Sequence, residues 1–432
     1  MNQSSNIHKT TSTAASIVGA CVALVSLTIS GHAWAQTFNS GSTGADGAFD
    51  LSSVPSGTTI EFDPIHEPRL AGKDPEKDNV YHFTTITIPA GVTVHMSAKY
   101  TNGPIYWLAT GAVNIGGTVN LSGEVGNPIT YSSAVRVPAT PGPGGYPGGV
   151  GGNIAAGARG AAQSGLGPGS GLGFGSVGNT SDPYYRGLGA TLAGSTYLVP
   201  LIGGSGGGGG ACPNYECWGG GGGAGGGAIL VASSVSLTIA SGGTIRADGG
   251  PGTSGGAWYE GGGGGGGSIR LLAPVIAGTG TLSVQGGGGT YVQLGAAGRI
   301  RLEAYQQNAG FSINGNYTTG SPLNSFVPTT PPPGIQVIGV AGQSVAPNPT
   351  GSFDTADVTI NSNQSVVVNI KGHYIPVGTV PKLYIFSLEG NDQVITCSPL
   401  TGSYEDSDAT AEVTFPAGYT RGYVRANWTV AQ

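Results

Sequence analysis

An all-β fold is predicted: a right-handed parallel β-helix with long glycine-rich loops, followed by a small immunoglobulin-like β-sandwich. Three observations carry that expectation. Short runs alternate apolar and β-branched residues with period two, a three-strand unit recurs along the chain, and glycine crowds the middle of the sequence and turns ordinary after Phe326.

The first 35 residues read as a secretory signal. A polar start with His8 and Lys9 precedes an apolar run from Ala14 to Ile29, and Ala33 and Ala35 supply the small residues for cleavage before Gln36. Val18-Gly19-Ala20-Cys21 resembles a lipobox, but the apolar run continues through Val22-Ala23-Leu24-Val25, so ordinary cleavage after Ala35 is the preferred reading. The mature chain, Gln36 to Gln432, carries no later run near the roughly 20 apolar residues that cross a bilayer. It is therefore expected to be secreted, periplasmic or at the cell surface, with no transmembrane segment.

Period-two runs begin at Thr59 to Phe62, Phe83 to Ile88 and Val92 to Met96, with Pro89-Ala90-Gly91 as a break. The recurring unit appears as Ile105 to Gly123, again as Ala228 to Ala247, again as Ser268 to Val284, and opens once more at Arg299 to Ala304. Three short strands with tight glycine or proline corners match one coil of a solenoid, which buries its inner face only when neighbouring coils stack. This repetition outweighs the disorder otherwise suggested by 83 glycines and 28 prolines.

Of those 83 glycines, 56 fall between Gly142 and Gly298. Such a density costs too much backbone entropy for ordinary helix or strand. Two outcomes stay open: flexible loops, or extended left-handed helices so tightly packed that backbone amides bond to adjacent chains. The runs are irregular in length and show no strict three-residue register. Residues 327–349 then read as a proline-rich linker, and 350–432 as the sandwich, with strands expected at Asp357 to Ile360, Ser365 to Ile370, Lys382 to Leu388, Gln393 to Thr396, Thr410 to Phe415 and Tyr423 to Trp428.

Ile86 to Val94, the Ala112 to Gly123 coil, the glycine loops and Arg299 to Ala304 together resemble a group of uncharacterised bacterial exported glycine-rich proteins. More distantly, the coils are similar to right-handed β-helices of the pectin-lyase and adhesin type. The first resemblance covers the mature chain to about Ala304 and implies no activity; the second implies the fold and two functional classes, surface adhesion and polysaccharide cleavage.

Little in the sequence suggests chemistry. Between Asn127 and Ile300 the acidic residues are Asp182, Glu216, Asp248 and Glu260, with no Lys or His, so a paired-carboxylate site would have to be assembled by folding, with Glu216 and Glu260 the candidates. Asp63 to His82 is rich in charge, and a solvated insertion is the preferred reading of it. No zinc-type spacing occurs, and no lysine follows a glycine run as a phosphate loop needs. No catalytic residue, metal or cofactor is therefore assigned. With 16 basic against 22 acidic side chains there is no basic surface for nucleic acid.

The binding signal is aromatic. Tyr215, Trp218, Trp258, Tyr259 and Tyr291 sit in successive glycine excursions, where they suit sugar stacking or protein recognition; the competing and preferred reading is that such rings cover glycine backbone. Cys212 and Cys217 are spaced to close a small disulfide loop in an oxidising compartment, leaving Cys397 without a partner, as a buried free thiol. The expected function is a secreted or cell-surface structural or adhesive protein, not an enzyme, with surface or matrix glycans or proteins as partners. A polysaccharide lyase or hydrolase is the alternative.

Overall fold

The computed structural model describes residues 38–75, 78–101, 103–128, 137–153, 195–212, 219–254, 260–288, 294–322, 333–346, 356–387, 393–418 and 420–428. Among these residues every regular element is a strand. Up to residue 320 the chain forms β1 (Gly47–Asp50), β2 (Thr59–Glu61), β3 (Val80–Ile88), β4 (Thr93–His95), β5 (Ile105–Ala109), β6 (Val113–Ile115), β7 (Thr118–Asn120), β8 (Gly152–Asn153), β9 (Ala211–Cys212), β10 (Ala228–Ser233), β11 (Ser236–Ile239), β12 (Thr244–Arg246), β13 (Ser268–Gly278), β14 (Thr281–Ser283), β15 (Arg299–Ala309), β16 (Ser312–Asn314) and β17 (Asn316–Gly320).

All pairings among these strands are parallel. A nine-stranded sheet runs β10-β5-β3-β6-β11-β13-β15-β17 with β1 on β3, and a six-stranded sheet runs β16-β14-β12-β7-β4-β2. The chain crosses from the first sheet to the second and returns one rung further along, so that identical positions stack. Ile60, Val94, Val119, Ile245, Leu282 and Ile313 are successive in-register partners across the smaller sheet. The first five are buried and Ile313 packs against them, in a core shared with Ile86, Val113, Leu237 and Ile276 of the larger sheet. Each buried aliphatic side chain contributes about 1.5–3 kcal/mol, and no rung could bury its inner face alone. At the β1 end the core is aromatic: Phe49 stacks on Phe83 with ring centroids 5.4 Å apart, and Trp107 lies edge-on to Phe49 at 5.6 Å.

The first recurring unit in the sequence starts at Ile105, yet the runs before it already form rungs, since β1 to β4 carry the same pairing. Aromatic side chains replace the small and aliphatic residues of the later copies there, which hides the repeat. β13 is one continuous eleven-residue strand where two short ones were expected, and β15 extends the expected Arg299 to Ala304 run to the same length.

Between the rungs, the described glycine segments pack against one another, and the short β8 and β9 pair as a two-stranded parallel sheet. The segments lie side by side as extended strands whose successive amides point to different neighbours with a period of three. Along 219–227, the N–H groups of Gly219, Gly222 and Gly225 donate to Gly152, Gly149 and Tyr146; those of Gly221, Ala224 and Gly227 donate to Asn127, Glu124 and Leu121; those of Gly223 and Gly226 donate to Gly262 and Gly265. Each partner series steps by three residues, the repeat of an extended threefold helix. The same strand accepts from Gly204, Gly207 and Gly210, and from Gly250 and Thr253, so five segments surround it. A Cβ on Gly222 would overlap the carbonyl of Gly207, and one on Gly223 that of Gly250. Backbone fills the space that side chains occupy elsewhere, so of the two outcomes left open by the sequence, the packed one is observed.

The three-residue register is also present in the sequence, and the irregular run lengths obscure it. Gly123 and Gly126, and Gly142, Gly145, Gly148 and Gly151, are each spaced by three, and an added Cβ at any of them would meet the backbone of segment 219–227 or its partner Leu121. Positions between them on the outside, such as exposed Glu124 and Pro251, keep side chains. Perimeter strands need glycine on one face only, whereas 219–227 and 261–267 need it almost throughout.

The remaining strands are antiparallel: β18 (Gly334–Val340), β19 (Gln343–Ser344), β20 (Val366–His373), β21 (Lys382–Ser387), β22 (Gln393–Thr396), β23 (Thr401–Gly402), β24 (Ser407–Val413) and β25 (Thr420–Arg425). They form a five-stranded sheet, β19-β18-β20-β24-β23, and a three-stranded sheet, β22-β21-β25. Val368, Ile370, Leu383, Ile385, Leu400 and Val413 from both sheets share one core. Two details differ from the sequence reading. Gly334–Val340, placed in the linker, pairs with β20 because its alternating Ile335, Val337 and Val340 pack against that core; Asp357 to Ile360 is not a strand. Cys397 is a buried free thiol, and burial raises its pKa.

Candidate functional site

The glycine bundle flanks the segments that carry the predicted aromatics. Tyr215, Trp218, Trp258, Tyr259 and Tyr291 themselves lie outside the described residues, as do Cys217 and Glu216, so the geometry concerns the strands that flank them. Gly210 donates to Gly220, and Gly219 donates to Gly152; Thr253 donates to Gly221, Gly261 donates to Thr253, and Gly252 donates to Gly288. The described ends on either side of the 213–218, 255–259 and 289–293 gaps are thus joined directly, at the end of the bundle away from the rungs.

Lys371 pairs with Asp406 and Asp408 at the antiparallel sheet, and two larger clusters of charge lie among the described residues of the parallel region. The first was not singled out in the sequence. Arg270 on β13 and Arg301 and Glu303 on β15 project from the outer face of the nine-stranded sheet, where they are buried beside Tyr106, Leu230 and Leu272. Arg270 donates through Nε and Nη2 to Glu303 Oε1 at 3.1 and 3.0 Å, and Arg301 Nε reaches the same oxygen at 3.2 Å. Arg301 also donates to the Thr319 carbonyl, and its guanidinium lies 5.2 Å from the Tyr197 ring centroid. Glu303 Oε2 is buried without a hydrogen-bond partner among the described residues. Burial lowers the Arg270 pKa, and the Glu303 carboxylate opposes that. This arrangement fastens segment 195–202, with Leu198 and Leu201, onto the sheet. Its sequence signal was the alternation of charge with Ile300 and Leu302 in a strand whose other face is core.

The second cluster is the charged stretch from Asp63 to His82. Its described groups are spent on their own loop and on the adjoining segment 43–46. Asp63 caps a turn, accepting from the backbone of Ile65 and His66 and pairing with His66 Nδ1 at 2.7 Å. Burial acts to raise its pKa, but these hydrogen bonds outweigh it and the net shift is downward. Glu67 pairs with Arg69, and Lys73 donates to the Asp46 carbonyl. Asp74 accepts from the backbone of Asp78 and Asn79, and burial together with the neighbouring Asp78 carboxylate pushes its pKa up to about 7. Tyr81 lies in the aromatic core with its hydroxyl unpaired, and burial raises its pKa.

Asp74 thus has the titration of a general acid but is turned toward its own backbone, and the stretch works as a fastened insertion. Glu260 is buried beside its bridge to Ser254. Among the described residues no group of three His, Cys, Asp or Glu side chains could hold a metal ion, and no helix is long and apolar enough to cross a membrane. The chain matches no protein-family model, no curated protein and no solved structure.

Proposed function

We propose that the mature chain is a secreted or cell-surface structural and adhesive protein. In this reading the parallel rungs are a right-handed β-helix, the hand that parallel crossovers adopt almost without exception, and the two antiparallel sheets are an immunoglobulin-like sandwich. The glycine bundle is a stiff mount for the loops bearing Tyr215, Trp218, Trp258, Tyr259 and Tyr291, which engage surface or matrix glycans or proteins. A disulfide between Cys212 and Cys217 would pin one of these loops in an oxidising compartment.

The observation that supports this best is the mutual hydrogen bonding of the strand ends flanking those loops, Gly210 with Gly220, Thr253 with Gly221 and Gly252 with Gly288. Directly bonded strand ends bring the flanks of these segments together, which supports recognition by several of them at once.

The test is binding of the purified mature chain to arrays of glycans and matrix proteins, with Trp218→Ala and Trp258→Ala as variants and a reducing-end assay on the same glycans. Saturable binding that falls in both variants without release of new ends is the expected result. Release of ends would replace this reading with a polysaccharide-cleaving one.

A further inference from the structure

The outer face of the six-stranded sheet carries a row of hydroxyls that no other described residue employs. Thr59, Thr93, Thr118, Thr244, Thr281 and Ser312 are successive in-register partners on β2, β4, β7, β12, β14 and β16. Each precedes one of the inward residues of the core ladder, so each points away from the core. None of the six is buried, and none of their side-chain hydroxyls hydrogen-bonds to another described residue. At one strand spacing per step, ~4.8 Å, the row runs about 24 Å. Two residues before each member stands Gly57, Gly91, Gly116, Gly242, Thr279 or Gly310, so that edge of the row bears almost no side chains.

The neighbouring outward column is different in kind. Glu61 pairs with His95 at 2.7 Å, Arg246 Nε donates to Asn120 Oδ1 at 3.0 Å, and Ser283 donates to Asp248 at 2.6 Å. Glu61 and His95 are thus matched to each other, while Arg246 is exposed and bonded to a neutral amide. What remains available is an in-register, formally neutral row in which each rung offers a hydroxyl, able to donate and accept, and five of the six also offer a methyl group.

We infer that this threonine row is a docking surface for a neutral crystalline lattice of water, that is, for ice. The row itself offers no charge to an ionic ligand, since all six of its members are neutral. A repeating array requires a repeating partner, and the oxygen rows of hexagonal ice repeat at close to one strand spacing. A crystalline sugar surface would repeat too, but sugar rings are gripped by aromatic faces, and the two outward columns of this sheet contain no Phe, Tyr or Trp. The methyl groups hold ordered water in place while the hydroxyls join its hydrogen-bond network. The surface lies on the rungs and does not depend on the loop aromatics.

The experiment is capture of the full mature chain by slowly growing ice, together with inhibition of ice recrystallisation. The variants are Thr118→Tyr with Thr244→Tyr, which plants two large rings mid-row; the near-isosteric Thr118→Val with Thr244→Val, which removes two hydroxyls; and Asn114→Tyr, exposed on the other sheet, as control. Thermal unfolding is recorded for each, and the valine pair decides the matter should the tyrosine pair fail to fold. The expected result is enrichment of the wild type and of Asn114→Tyr in ice, with capture by the row variants reduced at least roughly tenfold. Exclusion of the wild type from ice, or equal capture of the folded row variants, overturns the inference. So does binding to cellulose powder that is lost in the row variants without any capture by ice.

Discussion

The rungs and the glycine bundle are two solutions to one problem, that of burying backbone with every N–H and C=O satisfied. In the rungs, strands bond to the coil before and the coil after, and a ladder such as Ile60, Val94, Val119, Ile245 and Leu282 fills the space between the sheets. In the bundle, segment 219–227 bonds to five neighbours and leaves no space to fill. The first is stabilised by apolar side chains and tolerates variation in their size; the second is stabilised by hydrogen bonds and dispersion between bare backbones, and tolerates only hydrogen at its centre. The same chemical change should therefore have opposite character in the two regions.

Deleting side-chain volume should be the more damaging change in the rungs. Leu271→Ala, fully buried on the inner face of β13, is expected to cost about 2–5 kcal/mol, measured by denaturant unfolding. Adding a single methyl should be damaging at the bundle centre but not on its perimeter. Gly223→Ala places a methyl against the Gly250 carbonyl and should cost about 1–3 kcal/mol, while Glu124→Ala on the exposed perimeter of the same bundle should stay within about 0.5 kcal/mol. Equal tolerance at Gly223 and Glu124 would mean that the bundle is looser than its hydrogen bonds imply, and the comparison would fail.

A smaller effect tests the fastened insertion that closes the β1 end. Asp74 is raised in the folded state to about 7, above the ordinary carboxylate value of about 3.9. Between those values the folded chain holds a proton that the unfolded chain has released. The contribution of Asp74 is therefore fully present below about pH 4 and is lost as pH rises through about 7. Asp78→Asn removes the neighbouring charge, which is one of the causes of the rise. The variant should lose less melting temperature than the wild type between about pH 4 and pH 8, and identical slopes would show that Asp78 does not govern Asp74.

Several parts of this architecture were legible because side chains encode them. The period-two runs at Phe83 to Ile88 and Val235 to Ile239 mark strands, and the recurrence of Gly-Thr before a strand, as at Gly117-Thr118, Gly243-Thr244 and Gly280-Thr281, marks the corners. The threonine row was written in the same repeats but could not be recognised as a row until stacking brought residues 59 and 312 onto one face. The Arg270, Arg301 and Glu303 cluster was hidden for a related reason, since its members are 33 and 2 residues apart and meet only through strand pairing. The loop aromatics were found by composition alone, and the hydrogen-bonded strand ends are what relate their loops to one another.

By itself, the sequence determined the all-β character, the alternation that sorts residues to the two faces of each strand, and the scarcity of chemistry-bearing groups, because all three follow from side-chain identity at each position. Only the tertiary structure decided which glycine segment lies beside which. A glycine has no side chain with which to specify a neighbour, so the partners of Gly222, Gly223 and Ala224, in segments 142–152, 261–267 and 121–127, are chosen by the direction of successive amides along an extended threefold backbone.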